Sequence, residues 1–380
     1  MLALVAALLL TGSLGSIHAF SVFIAPIEAA FEASRQSVAL VYSLALVALT
    51  IAVLVSHRVF RAVGPARLIL VIGGLCGFGL SLPSWIDTMP GIYAGYGLLF
   101  GCANGLGYAL ALQLAARAYP GRSATAMGAV TAVYALGAMA FAQLFERLIA
   151  SHDFRTALGA MAGIMLAVGL AGALAARRSR IAITSARQAA PSARAPLAFG
   201  RLALLWLGYG TGCLAGLMAI GHAAGIVAAT GGDAADASLA VALIALGNAV
   251  GGLAAGALAD RSSVRRLLAL AALLSAIALA GLAFADSAAR ALACLTLVGL
   301  AYGAIIALTP ALTLTSFGVA LMARAYGLIF TAWGVAGLLG PWAAGALYDA
   351  EGRYGTACLL AAVAAAIACG TALRTPAPSR

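Results

Sequence analysis

Apolar residues run along this chain in twelve long stretches separated by short polar breaks. The stretches fall near residues 2–26, 37–56, 66–86, 91–116, 123–147 and 157–176, then 201–229, 237–259, 265–285, 289–315, 323–347 and 354–373. A helix needs roughly 20 apolar residues to cross the hydrocarbon of a bilayer. Backbone donors and acceptors in lipid must be satisfied within their own segment, so the pattern predicts spanning helices rather than open strands. The first stretch resembles a secretion signal with Ile17-His18-Ala19 as its cleavage site. No basic residue precedes it, however, and the run continues to about Pro26, which predicts a first spanning helix instead.

The polar breaks test that count. All 22 basic residues are Arg. With both termini placed in the cytoplasm, 17 of those 22 fall on the inner side, all but Arg35, Arg147, Arg155, Arg290 and Arg353. Of the 11 acidic residues, 10 fall outside and Asp260 alone falls inside. Excess arginine on cytoplasmic loops sets topology, and the alternation persists through every loop. A miscounted helix would have scrambled it. The expectation is an integral membrane protein, in a bacterial inner membrane, with both termini cytoplasmic.

Composition narrows the classes further. Hydrophobic residues make up 64% of the chain and charged residues 9%, against roughly 25% charged in a soluble domain. The net charge of +11 comes from arginines scattered singly or in small clusters, which predicts membrane topology and not a nucleic-acid partner. The six cysteines sit inside apolar runs without metal-ligand spacing. Neither a nucleophile-and-base arrangement nor zinc spacing is present, so no enzyme, metal or cofactor is expected.

The segment 177–200, rich in Arg, Ala, Ser and Pro, is the one long inner loop. It divides the chain into bundles 1–176 and 201–380, with 177–200 as a cytoplasmic linker. The halves resemble each other at an offset near 200. Thr11-Gly12-Ser13-Leu14 matches Thr211-Gly212-Cys213-Leu214, Arg61 matches Arg261, and Gly101 and Gly105 match Gly299 and Gly303. A duplicated six-helix unit is a plan that transporters use around a central substrate site.

The run Gly256-Ala257-Leu258-Ala259-Asp260-Arg261, followed by Arg265-Arg266, resembles the signature loop of the major facilitator superfamily. The first-half copy keeps Arg61 and Gly64, with Phe60 in place of the acid. Within the superfamily the chain looks like the oxalate:formate antiporter and monocarboxylate transporter group. The residues that carry this are Gly15 to Phe23, Pro26, Tyr42-Ser43, Gly101 to Tyr108, and Thr331 to Gly337. The resemblance implies an all-α membrane protein with twelve transmembrane helices in two pseudo-symmetric six-helix bundles, the major facilitator fold. It also implies that Asp260, Arg261 and Gly256 form a gating element. The departures bear on substrate. Where oxalate-type members have a helix-1 Tyr and cationic side chains in helices 8 and 11, this chain has His18, Asn248 and Trp333. A cation held at mid-membrane costs roughly 2.5–3.5 kcal/mol on insertion scales, so it is normally kept for a charged partner. Its absence argues against a dianion and for a monoanion or a neutral polar solute.

Several residues are candidates for that solute. His18 lies near the middle of helix 1, and His222 lies toward the outer end of helix 7. Asn104 and Tyr108 share a face of helix 4 with Gly97 and Gly101, and Tyr302 sits on a like polar face of helix 10. Tyr134, Asn248 and Trp333 complete the substrate-binding set. For each the alternative is interhelical hydrogen bonding, which contributes roughly 0.6–2 kcal/mol per bond. No carboxylate lies near mid-membrane, so a proton relay would have to use His18 or His222. The expected activity is exchange or facilitated movement of a small monocarboxylate or related polar metabolite by alternating access, in a monomer. Export or antiport of a neutral or drug-like compound, or a transporter-like sensor, are the alternatives.

Overall fold

The computed structural model describes residues 2–118, 123–179, 197–259 and 261–375. Among the described residues, twelve helices are long and apolar enough to cross a membrane. They are α1 (Leu2–Phe31), α2 (Arg35–Ser56), α3 (Pro65–Trp85), α4 (Met89–Ala118), α5 (Ala126–Ser151) and α6 (Phe154–Ser179). The second set is α7 (Phe199–Ala229), α8 (Ala234–Ala259), α9 (Val264–Ala283), α10 (Ala288–Gly318), α11 (Arg324–Glu351) and α12 (Gly355–Arg374). The chain divides into two compact units, Met1–Ala186 and Arg187–Arg380. Most of the expected linker, residues 180–196, lies outside the described residues, and α6 runs to Ser179, past the sequence-based boundary at 176.

Helix ends follow local chemistry. The Ser34 hydroxyl accepts from the Ser37 amide and starts α2. Gly64 and Pro65 start α3, with Pro at a position whose amide would have no partner anyway. Asp153 accepts from the Thr156 amide at 2.7 Å and starts α6. Those bonds from Thr156 hold the Asp153 carboxyl below the ordinary carboxylate range. Gly318, at φ 71° and ψ 169°, ends α10 in a conformation that a Cβ would resist.

Inside each unit the helices approach closely where side chains are absent. A Cβ on Gly105 of α4 would stand 2.2 Å from the Leu49 carbonyl oxygen of α2. The matching Gly303 of α10 would place one 1.9 Å from the Asn248 carbonyl oxygen of α8. Lipid gives spanning helices little hydrophobic reason to associate, so such backbone-to-backbone contact supplies much of the adhesion. Outward faces carry Leu170, Leu253, Leu270, Ile277 and Val363, each more than half exposed. So apolar an exterior suits hydrocarbon and not water.

Two helices of the first unit depart from regular α geometry. In α1, residues Gly15–Phe23 wind as a 3₁₀-helix between α-helical ends. In α4, Tyr93–Phe100 wind as a π-helix. A nine-residue 3₁₀ run exceeds the usual three or four, and both departures recur at functional sites.

Candidate functional site

The 3₁₀ segment of α1 carries His18, and neighbouring helices hold it in place. Asn104 of α4 donates its Nδ2–H to the Leu14 carbonyl at 2.7 Å, where the α-helix gives way. Tyr96, from the π segment, donates to the Ile17 carbonyl at 3.2 Å. Irregular backbone at membrane depth frees carbonyls that need partners, and these two side chains supply them. The crossing with α5 is equally tight. A Cβ on Gly15 would lie 1.9 Å from the Tyr134 carbonyl oxygen.

His18 is 9% exposed. Its Nδ1 lies 2.6 Å from the Tyr42 hydroxyl of α2. Tyr134 stands edge-on to the imidazole with ring centroids 5.5 Å apart. The Tyr134 hydroxyl donates to Asn104 Oδ1 at 2.8 Å, so Asn104 is fully buried and bonded through both its oxygen and its nitrogen. Tyr108 packs its ring 4.9 Å from that of Tyr134, with its hydroxyl 3.4 Å from Thr131 Oγ1. His18, Asn104, Tyr108 and Tyr134 thus form one cluster. Within it, Asn104 and Tyr134 are committed to holding the protein together. His18 Nε2 bonds to no described residue, and it is not among the sealed polar atoms. The hydroxyls of Ser16, Ser21 and Ser43 are buried without a protein partner.

The second unit places its candidates differently. Trp333 of α11 donates its Nε1–H to the Tyr302 hydroxyl of α10 at 2.8 Å and stacks on Phe330 at 5.7 Å. Both are buried. His222 is fully buried. Its Nε2–H donates to the Pro341 carbonyl at 2.8 Å, and Nδ1 accepts from Tyr354 at 3.1 Å. Both ring nitrogens therefore bind α7 to α11 and to the start of α12. Asn248 is half-buried, and its carboxamide forms no hydrogen bond to a described residue. Among the described residues of both units, charged side chains lie toward the ends of the spanning helices.

Of the expected gating residues, Asp260 lies outside the described residues. Gly256 and Arg261 are exposed, and a Cβ on Gly256 would meet nothing within 4 Å. Other arginines tie helix ends of the second unit: Arg201 donates to the Ser316 carbonyl at 2.6 Å and Arg265 to the Thr375 carbonyl at 3.0 Å. Cations suit such helix C-termini. Sequence reasoning did not assign these two roles, nor the support that Tyr42 and Tyr96 give to α1.

Twelve candidate spanning helices in two six-helix units, with a broken helix carrying polar side chains in the first, are an arrangement that secondary transporters use. Residues 202–380, just under half of the chain, match the family model of the Major Facilitator Superfamily. The structure resembles that of a D-xylose-proton symporter at TM-score 0.80 and 14% identity, covering 99% of this chain and 97% of that one. An inward-open structure of the xylose transporter XylE from E. coli gives TM-score 0.78 at 13% identity, covering 99% and 96%. At such identities the likeness is one of fold. In sequence, an uncharacterized MFS-type transporter of Escherichia coli, YhjX, is 28% identical over 267 residues, 68% of this chain and 65% of that protein. Monocarboxylate transporter 13 of Rattus norvegicus is 26% identical over 160 residues, 42% of this chain and 37% of that protein. The aligned regions thus span less than two thirds of these relatives.

Proposed function

We propose that the chain moves a small monocarboxylate or a related polar metabolite by alternating access, as a monomer in a bacterial inner membrane with both termini cytoplasmic. The observation that carries this reading is the free Nε2 of His18, placed on a broken helix among bonded aromatic residues. Within the first unit the Tyr108 hydroxyl is a further contact for the solute, and within the second unit the half-buried Asn248 is a candidate contact of its own. Within the first unit Tyr134 and Asn104 hold the site; within the second unit Tyr302 and Trp333 form a buried polar pair of their own that is a further candidate for solute contact, while His222 serves the scaffold. Gly256, Asp260 and Arg261 act at the cytoplasmic gate.

The chemistry of the groups limits the cargo. Neutral donors pair with a carbonyl, a hydroxyl or a single carboxylate. They do not offset the desolvation of two negative charges. The partial likeness to monocarboxylate transporter 13 supports the same class.

A thermal-shift screen of purified protein against acetate, pyruvate, lactate, oxalate, succinate and xylose tests the assignment, because a binder raises stability by mass action. Stabilisation by monocarboxylates, followed by uptake of the binder into proteoliposomes, is expected. Stabilisation by the dicarboxylates alone would refute the reading. Binding without flux would identify a sensor.

A further inference from the structure

Tyr42 is buried, with 1% of its surface exposed, and its hydroxyl has one hydrogen-bonding partner among the described residues, Nδ1 of His18 at 2.6 Å. Two arrangements of that bond are conceivable. If Nδ1 carried the proton and donated, the Tyr42 O–H would be left without an acceptor in a dry setting. If the hydroxyl donates, its proton is used and Nδ1 accepts. A buried polar hydrogen without a partner is the costlier choice. The second arrangement puts the ring proton on Nε2, the nitrogen that bonds to no described residue and is not among the sealed polar atoms. The phenol ring is itself fixed, stacked on Phe20 with centroids 5.9 Å apart and planes 5° from parallel.

We infer that Tyr42 is a positioning residue that holds His18 as the Nε2–H tautomer, so that the imidazole presents the solute with an uncharged hydrogen-bond donor. The inference rests on the reading of His18 as a substrate contact and sharpens it. The solute atom that meets His18 is then an acceptor, a carboxylate or carbonyl oxygen, and not a donor such as an amine. His222 offers an internal contrast. There Nε2–H is spent on the Pro341 carbonyl, so the same tautomer presents nothing.

The test is solid-state NMR of the full chain in lipid, with ¹⁵N-labelled imidazoles. The His18 resonances are identified by their loss in His18→Gln. The wild-type protein is expected to show protonated Nε2 and hydrogen-bond-accepting Nδ1 at His18, and Tyr42→Phe to give a mixture of tautomers while His222 keeps its own. A wild-type His18 protonated on Nδ1 would overturn the inference, and so would a Tyr42→Phe spectrum unchanged at His18. Adding pyruvate to the wild type reads the underlying function separately. A displaced Nε2 resonance supports both readings. A fixed tautomer that pyruvate, acetate and lactate all leave unmoved would overturn the monocarboxylate reading and leave the role of Tyr42 standing.

Discussion

The two six-helix units share a scaffold and differ in what they do with their first helix. In each unit the fourth helix is bonded to the fifth, by Asn104 and Tyr134 in one and by Tyr302 and Trp333 in the other. In each, the second and fourth helices touch backbone to backbone at matching glycines. Yet α1 breaks into a 3₁₀ segment at Gly15–Phe23, whereas α7 runs as continuous α-helix from Phe199 to Ala229. The motif Thr-Gly-x-Leu aligns Gly15 with Ala215. The first unit therefore lets α5 come against bare backbone where the second keeps a methyl group. The difference teaches that one scaffold can hold a strained helix carrying a free imidazole in one half and a regular helix with a fully bonded imidazole in the other. Asymmetry of function is added locally, by a few contacts, and leaves the scaffold intact.

The comparison is broken most severely at its tightest point. Gly15→Val drives a side chain into the Tyr134 carbonyl. Overpacking of this kind costs about 1–3 kcal/mol or more, and loss of the monodisperse peak in detergent size-exclusion chromatography is expected. Ala215→Gly, its counterpart, should cost only about 1 kcal/mol of helix propensity and leave the peak intact.

The two histidines should separate stability from transport. His222→Ala removes two buried hydrogen bonds and leaves a void, and should lower thermal stability by roughly 2–4 kcal/mol with transport retained in the folded fraction. His18→Ala should do the reverse. Loss of one substrate bond, about 1–3 kcal/mol, corresponds to a fall in proteoliposome uptake of roughly 5–150-fold with a smaller change in melting temperature. Equal behaviour of the two variants would dissolve the distinction.

The fourth-to-fifth helix bonds give a finer contrast. Asn104→Ala strands both the Leu14 carbonyl and the Tyr134 hydroxyl, at about 1–3 kcal/mol for each group. Trp333→Phe strands less, and should cost about 0.5–1.5 kcal/mol. Denaturation of each variant in the same detergent compares them.

The smallest effect concerns helix starts. Asp153 caps α6, whereas α12 begins at Tyr354 without a side-chain cap. Because the folded state holds the Asp153 carboxyl below its ordinary range, this contribution is complete above that range. It fades as pH falls through the lowered value. Asp153→Ala should cost about 1 kcal/mol at neutral pH and little at the acid end, read as the convergence of melting temperatures.

Much of the fold was legible because lipid imposes one-dimensional rules. The twelve apolar stretches needed only their length, and α2 or α9 ends within a few residues of where the pattern stops. The cluster was partly legible. His18, Asn104, Tyr108 and Tyr134 were conspicuous as polar groups in oil. Which were free and which were spent was not, because that depends on partners 24 to 90 residues distant. His222 looked like His18 in sequence, and only its contacts with Pro341 and Tyr354 set it apart.

The sequence by itself determined the medium, the number of spanning helices and the polar residues available inside them. Each of these follows from the transfer of residues one at a time between water and hydrocarbon, which is a property of local composition. Tertiary structure alone decided that α1 would unwind and α7 would not, and that one imidazole keeps an unspent nitrogen. Those outcomes turn on whether a carbonyl or a ring nitrogen finds a partner on another helix. Hydrogen-bond satisfaction is a property of pairs in space, and no single stretch of chain contains both members.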